Sequence, residues 1–226
     1  MPTKATLCIF VKAPLPGLVK TRLTPFLTKV EAAGLAAAFF ADTFALASSC
    51  EWARVVVACD GDPSSLELAT GTEVWPQGSG DLGERMERVL SLALESSKAA
   101  IVIGTDLPGL PRRFLDSARL KLAEHDAIIG PSADGGFYLL GLQRCPSGLL
   151  RGIPWRTATT RAHTVERLCS VGLTVAEAEP WFDVDVPIDL ERLVGLLREE
   201  RVFAPKTARF LTGLAHPWRS PCGRSP

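Results

Sequence analysis

Phe10-Val11-Lys12-Ala13-Pro14-Leu15-Pro16-Gly17-Leu18-Val19-Lys20-Thr21-Arg22-Leu23, entered from the apolar run Leu7–Val11, decides how the rest of the chain reads. The apolar run has the length and composition of a buried strand. Two prolines and a glycine turn it into a loop that carries Lys12, Lys20 and Arg22. Helix-forming sequence follows. Cations and backbone N–H groups at the carboxyl end of a first strand suit phosphate oxygens. A solvated basic loop would contain the same residues, so the choice falls to the motifs further along.

Working outward, strands alternate with helices. Leu7–Val11, Val55–Cys59, Thr72–Trp75, Ala99–Ile103, Ala127–Ile129, Phe137–Gly141 and Leu173–Ala176 read as strands. Thr28–Ser48, Leu82–Ser96, Pro111–Glu124, Thr160–Val171 and Pro187–Glu200 read as helices. This order predicts an α/β fold with a mostly parallel sheet and helices on both faces. Ligands of such sheets bind beyond the carboxyl ends of strands. Lys20 and Arg22 follow the first strand, Asp60 the second, and Asp106 the strand Ala99–Ile103.

Each motif at these ends has a chemical and a structural reading. In Gly104-Thr105-Asp106-Leu107-Pro108 the carboxylate can hold a divalent ion against phosphates, or it can cap a turn. In Asp183-Val184-Asp185-Val186-Pro187-Ile188-Asp189, an extended backbone puts Asp183 and Asp185 on one face, where a cation between them would relieve their repulsion. The alternative is that Asp185 and Asp189 serve the start of the helix at Pro187. Asp134-Gly135-Gly136 is a turn whose glycines allow close approach to a ligand, or a plain hairpin turn. Gly78-Ser79-Gly80-Asp81-Leu82-Gly83 matches G-x-G-x-x-G, but the strand before it is short and contains Pro76. It is read as a glycine-rich loop opening a helix. His125, His163 and His216 are scattered, and neither G-x-S-x-G nor a Walker lysine motif occurs.

Composition sets the limits. The 226 residues suit one α/β domain, expected over 1–214. Residues 215–226 have no periodic pattern and are expected to form a disordered tail. Formal net charge is zero, so nothing global favours nucleic acid or an anionic membrane. The six cysteines form no C-x-x-C pair. With no signal-peptide pattern and no apolar run read as long enough for a membrane span, a cytoplasmic protein is expected.

As an ordered set, Lys12 to Leu23, Asp42-Thr43, Gly80 to Arg85, Gly104 to Pro108, Gly130 to Leu142 and Asp183-Val184-Asp185 resemble the small bacterial GT-A-type glycosyltransferase-like proteins. These belong to the nucleotide-diphospho-sugar transferase superfamily and include the radical-SAM/selenodomain-associated transferases. The resemblance implies a three-layer α/β/α sandwich and Mg²⁺ (or Mn²⁺) at the strand ends. It implies a nucleotide or nucleotide sugar as donor and a small-molecule acceptor. Lys20, Arg22 and Asp106 then take catalytic roles. Lys12, Lys20, Arg22, Gly80, Asp81 and Thr105 bind the nucleotide, Asp134, Gly135 and Gly136 the substrate, and Asp106, Asp183 and Asp185 the metal. Two positions depart from the pattern: Leu107 where serine is common and Val186 where threonine is common. The expected activity is glycosyl transfer. Nucleotidyl transfer with pyrophosphate release, and an inert nucleotide binder, are the alternatives.

Overall fold

The structure is a computed structural model and describes residues 5–214. The expected tail, 215–226, lies outside them. Seven strands form one mixed sheet: β1 (Ala5–Lys12), β2 (Ala53–Asp60), β3 (Glu73–Pro76), β4 (Ala100–Ile103), β5 (Ala127–Pro131), β6 (Phe137–Leu142) and β7 (Val175–Glu177). Their order is β3-β2-β1-β4-β6-β5-β7. Only β6 runs antiparallel to its neighbours β4 and β5, pairing Ile103 with Leu139 and Gly130 with the same leucine. The carboxyl ends of six strands therefore share one edge with the start of β6. The β5–β6 turn sits on that edge beside the loops after β1, β4 and β7.

Among the described residues six helices, α1 (Lys29–Ser48), α2 (Leu82–Leu94), α3 (Arg112–Glu124), α4 (Thr160–Ser170), α5 (Pro187–Arg198) and α6 (Pro205–Thr212), complete the layers. On one face Phe40 and Ala47 of α1 and Leu115, Ala118 and Leu122 of α3 pack against Leu7, Ile9, Val57 and Ile101. On the other, Met86, Val89 and Leu90 of α2 and Leu168 of α4 cover Cys8, Val56, Val102 and Leu140. A third cluster joins the outer side of α1, through Ala32, Leu35 and Phe39, to Leu190 and Leu193 of α5.

This third cluster explains why α1 is apolar all round: it is buried on two sides. At 20 residues and a mean hydropathy of 1.5, α1 is also long and apolar enough to cross a membrane. That corrects the sequence expectation that no apolar run approaches such a length; a helix buried on two sides has the same composition. In the fold Asp42 is buried and accepts hydrogen bonds from Lys206 N at 3.0 Å and Thr207 N at 2.9 Å. The two carboxylate oxygens thus satisfy backbone donors at the start of α6, which helices otherwise leave open. The helix α6 has no counterpart in the sequence expectation, being too short to show a period. Strand β7 starts two residues later than expected; just before it, Thr174 N and Oγ1 both donate to Asp126.

Candidate active site

Lys20 is the centre of the carboxyl edge. The loop after β1 brings it there in a left-handed conformation, φ 48°, just before the 3-10 turn Thr21–Leu23. Its side chain is 5% exposed. Nζ donates to Val184 O at 2.6 Å, to Asp106 Oδ1 at 2.7 Å and to Asp185 Oδ1 at 2.9 Å. It also lies 5.5 Å from the centroid of the Phe39 ring. Burial alone would lower the ammonium's pKa; the two aspartates overcome it and the net shift is upward. Three distant segments therefore meet at one cation.

The aspartates are placed by backbone. Val184 N donates to Asp106 O at 2.8 Å, tying the loop after β4 to the segment after β7. Further back, Trp181 N donates to Pro131 O, so that segment extends the sheet beyond β5. Asp189, not Asp185, serves the start of α5: its Oδ2 accepts from Asp185 N at 3.1 Å and Val186 N at 2.9 Å. Asp185 is thereby free to face Lys20. The two sequence departures also acquire a place. Leu107 is buried in the core beneath the loop. Val186 occupies the N-cap position of α5, where a threonine could return a hydrogen bond to N3 and valine cannot.

Asp183 belongs to the same acidic group. Its carboxyl is pushed up to about 6, first by burial, then by Asp134, Asp185 and Asp106. Asp134 accepts from Ser132 Oγ and from Gly136 N, the latter at 2.8 Å, which closes the β5–β6 turn. Gly135, at φ +86°, could not be another residue: a Cβ there would lie 2.1 Å from Ala158 O.

The remaining expected residues lie on the edge without joining this cluster. Lys12 ends β1 opposite Asp60, and Arg22 is exposed on the 3-10 turn; neither is paired within the described residues. Thr105 lies half-buried beside Asp106. Asp81 is the N-cap of α2 in a complete capping box with Glu84, and Gly80 takes φ +109° just before it. Sequence reasoning missed the group that braces this loop. Gln77, buried, donates to Val11 O and Ala58 O and so clamps the ends of β1 and β2. Its Oε1 accepts from Arg85, which also pairs with Asp60 at 3.0 Å. Arg88 donates to Gln77 O and Ser79 O. Gln77 follows the short strand β3, and no local signal in the sequence marks it.

No three His, Cys, Asp or Glu side chains among the described residues group closely enough to hold a metal ion by themselves. The donors nevertheless fit a hard divalent ion that also takes phosphate oxygens and water, which needs only one or two carboxylates. Asp106 and Asp185 are about half-exposed, and Lys20 takes only Oδ1 of each.

Comparison with known proteins agrees with this architecture. A structure from Desulfovibrio desulfuricans G20, whose proposed assignment is nucleotide-diphospho-sugar transferase, is 29% identical with a TM-score of 0.78. The match covers 92% of this chain and 98% of that one. A CMP:2-keto-3-deoxy-manno-octonic acid synthetase complexed with CTP shares the fold at 13% identity and a TM-score of 0.58, over 88% of this chain and 100% of its own. Rv0371C in complex with manganese, from Mycobacterium tuberculosis H37Rv, shares it at 18% identity and 0.53, over 85% and 98%. No curated protein matches the sequence. The α/β fold is thus that of the nucleotide-diphospho-sugar transferases. Residues 43–157, just over half of the chain, match the DUF2064 model, described as an uncharacterized protein conserved in bacteria, and the chain belongs to that family.

Proposed function

We propose that the protein is a divalent-cation-assisted transferase that moves a sugar from a nucleoside diphosphate to a small acceptor. The observation that carries this reading is the convergence of Asp106 and Asp185 on Lys20 at the carboxyl edge, with unpaired Arg22 and Lys12 on the adjoining loop and strand end. The 29%-identical Desulfovibrio protein, with its proposed sugar-nucleotide assignment, supports the choice of donor.

In the proposed reaction the bond between the sugar's anomeric carbon and the diphosphate oxygen breaks, and its electron pair leaves with the diphosphate. An acceptor oxygen bonds to that carbon and releases its proton. Mg²⁺ or Mn²⁺, held by Asp106 and Asp185 with Asp183 as their neighbour, would neutralise charge on the departing diphosphate. Arg22 offers a planar fork to the same phosphates and Lys12 a point charge. Lys20 holds the two aspartates together. Gly80, Asp81 and Thr105 border the nucleotide, and the 134–136 turn borders the acceptor.

The test begins with thermal shifts for nucleotides and sugar nucleotides, with and without Mg²⁺. The best donors are then incubated with the protein, and nucleoside diphosphate and pyrophosphate are assayed separately. Nucleoside diphosphate from a sugar nucleotide, lost in Asp106→Asn, is the expected result. Pyrophosphate from a nucleoside triphosphate would replace the reading with nucleotidyl transfer. Binding without turnover across donors and acceptors would replace it with an inert binder.

A further inference from the structure

Among the described residues, three that are not glycine have positive φ: Lys20, Arg156 and Glu200. Glu200 follows the C-terminus of α5, where a left-handed residue is common. Lys20 is held in its disfavoured conformation by its bonds to Asp106, Asp185 and Val184. Arg156, at φ 60°, is not held by any bond of its own side chain. Its guanidinium makes no ion pair or hydrogen bond with the described residues, and the residue is exposed.

The loop around it is nonetheless fixed. Thr160 Oγ1 donates to Pro154 O at 2.7 Å and accepts from Thr157 N at 3.1 Å, while Thr157 Oγ1 donates to Pro154 O. Trp155 packs edge-on against Phe137, the first residue of β6, and so closely over Gly83 of α2 that a Cβ there would lie 2.6 Å from its ring. Ala158 lies on Gly135, and Arg161 N donates to Gly135 O at 3.0 Å. Arg156 is thus anchored on the carboxyl edge between the start of α2 and the 134–136 turn. Trp155 belongs to the core of the sheet face that carries α2 and α4. Lys20 contacts Phe39, whose cluster lies on the α1 side. The edge therefore carries Lys20 on the α1 side and Arg156 on the α2 side, and the 134–136 turn links the aspartate cluster, through Asp134, to the loop of Arg156, through Gly135.

We infer that Arg156 is a specificity-determining residue that receives a negatively charged group of the acceptor, a phosphate or a carboxylate. This rests on the transfer reading given above. A rigid loop that presents an unpaired guanidinium offers a preorganised fork for such a group. A strained backbone that its surroundings hold in place, carrying a side chain with no partner in the chain, marks a residue kept for a ligand.

The experiment uses the whole protein saturated with Mg²⁺ and the nucleoside diphosphate that raises its Tm most. Calorimetry then compares glycerol 3-phosphate and glycerate with glycerol. The two anions should bind and glycerol should not. Arg156→Gly should weaken both at least tenfold, leave nucleotide affinity unchanged, and hold or raise Tm, because glycine accepts φ 60° freely. Arg156→Lys should keep part of the affinity. Arg22→Gln should do the reverse, losing nucleotide affinity and sparing the anions. Equal binding of the anions to wild type and Arg156→Gly, no anion binding to the nucleotide complex, or a Tm lowered by the glycine would overturn the inference. Absence of any nucleotide binding would instead overturn the transfer reading itself.

Discussion

Replacing Lys20 by methionine keeps the stem and removes the charge at the centre of the site. Removing one partner of a buried ion pair costs about 3–5 kcal/mol, mostly because the other charge is left stranded. Here the stranded carboxylates of Asp106 and Asp185 are 45% and 44% exposed, so water recovers part of the loss. Methionine also avoids the desolvation of a side chain that is 5% exposed, and it keeps contact with Phe39. The strain of the left-handed backbone is the same in both proteins and cancels. A net loss of about 2 kcal/mol is expected. For a chain of this size that is a fall of roughly 4–8 °C in Tm. Denaturant titration and differential scanning fluorimetry measure it. A second arm tests the electrostatic cause. With the ammonium gone, the two carboxylates face each other without a cation, so added Mg²⁺ should raise the variant's Tm more than the wild type's. A variant that melts with the wild type, or Mg²⁺ that favours the wild type, would refute the idea that Lys20 compensates these aspartates.

Other perturbations read other parts of the same edge. Asp183 titrates near 6 when folded against 3.8 ordinarily, so the folded state keeps a proton that the unfolded chain has lost. Stability without divalent cation should therefore fall as pH rises from about 4 to about 7 and level off above, and Asp183→Asn should flatten that slope in denaturant titrations. Asp42→Ala strands Lys206 N and Thr207 N and should cost about 1–2 kcal/mol. The loss should appear as faster hydrogen exchange confined largely to α6; uniform acceleration across the sheet would contradict it. Gly135→Ala forces a Cβ into Ala158 O and should destabilise by more than about 2 kcal/mol, read as a lowered denaturation midpoint. A midpoint equal to that of wild type would show that loop 154–160 moves away without penalty.

The strands of the parallel half were legible in the chain itself. Leu7–Val11, Val55–Cys59 and Ala99–Ile103 are apolar runs closed by proline, glycine or aspartate, and such signals are local. Helices α2 and α3 likewise carry their period within one segment. Local signals also placed Asp106, Asp134 and the Asp183–Asp185 pair in turns or at strand ends. What the sequence did not contain was partnership. The position of β6 between β4 and β5 comes from ladders between segments far apart in the chain. The short α6 exists against a carboxylate 164 residues away. Gln77 could not be read as a clamp before the adjacent ends of β1 and β2 were known to lie within reach of its amide. The pairing of Lys20 with Asp106 and Asp185 is of the same kind. Residue type and a nearby strand end identify a cation and two carboxylates as candidates. Whether Lys20 reaches out to a ligand or sits between the aspartates depends on where Val184 crosses Asp106, and that crossing is set by backbone hydrogen bonds formed only when the sheet closes.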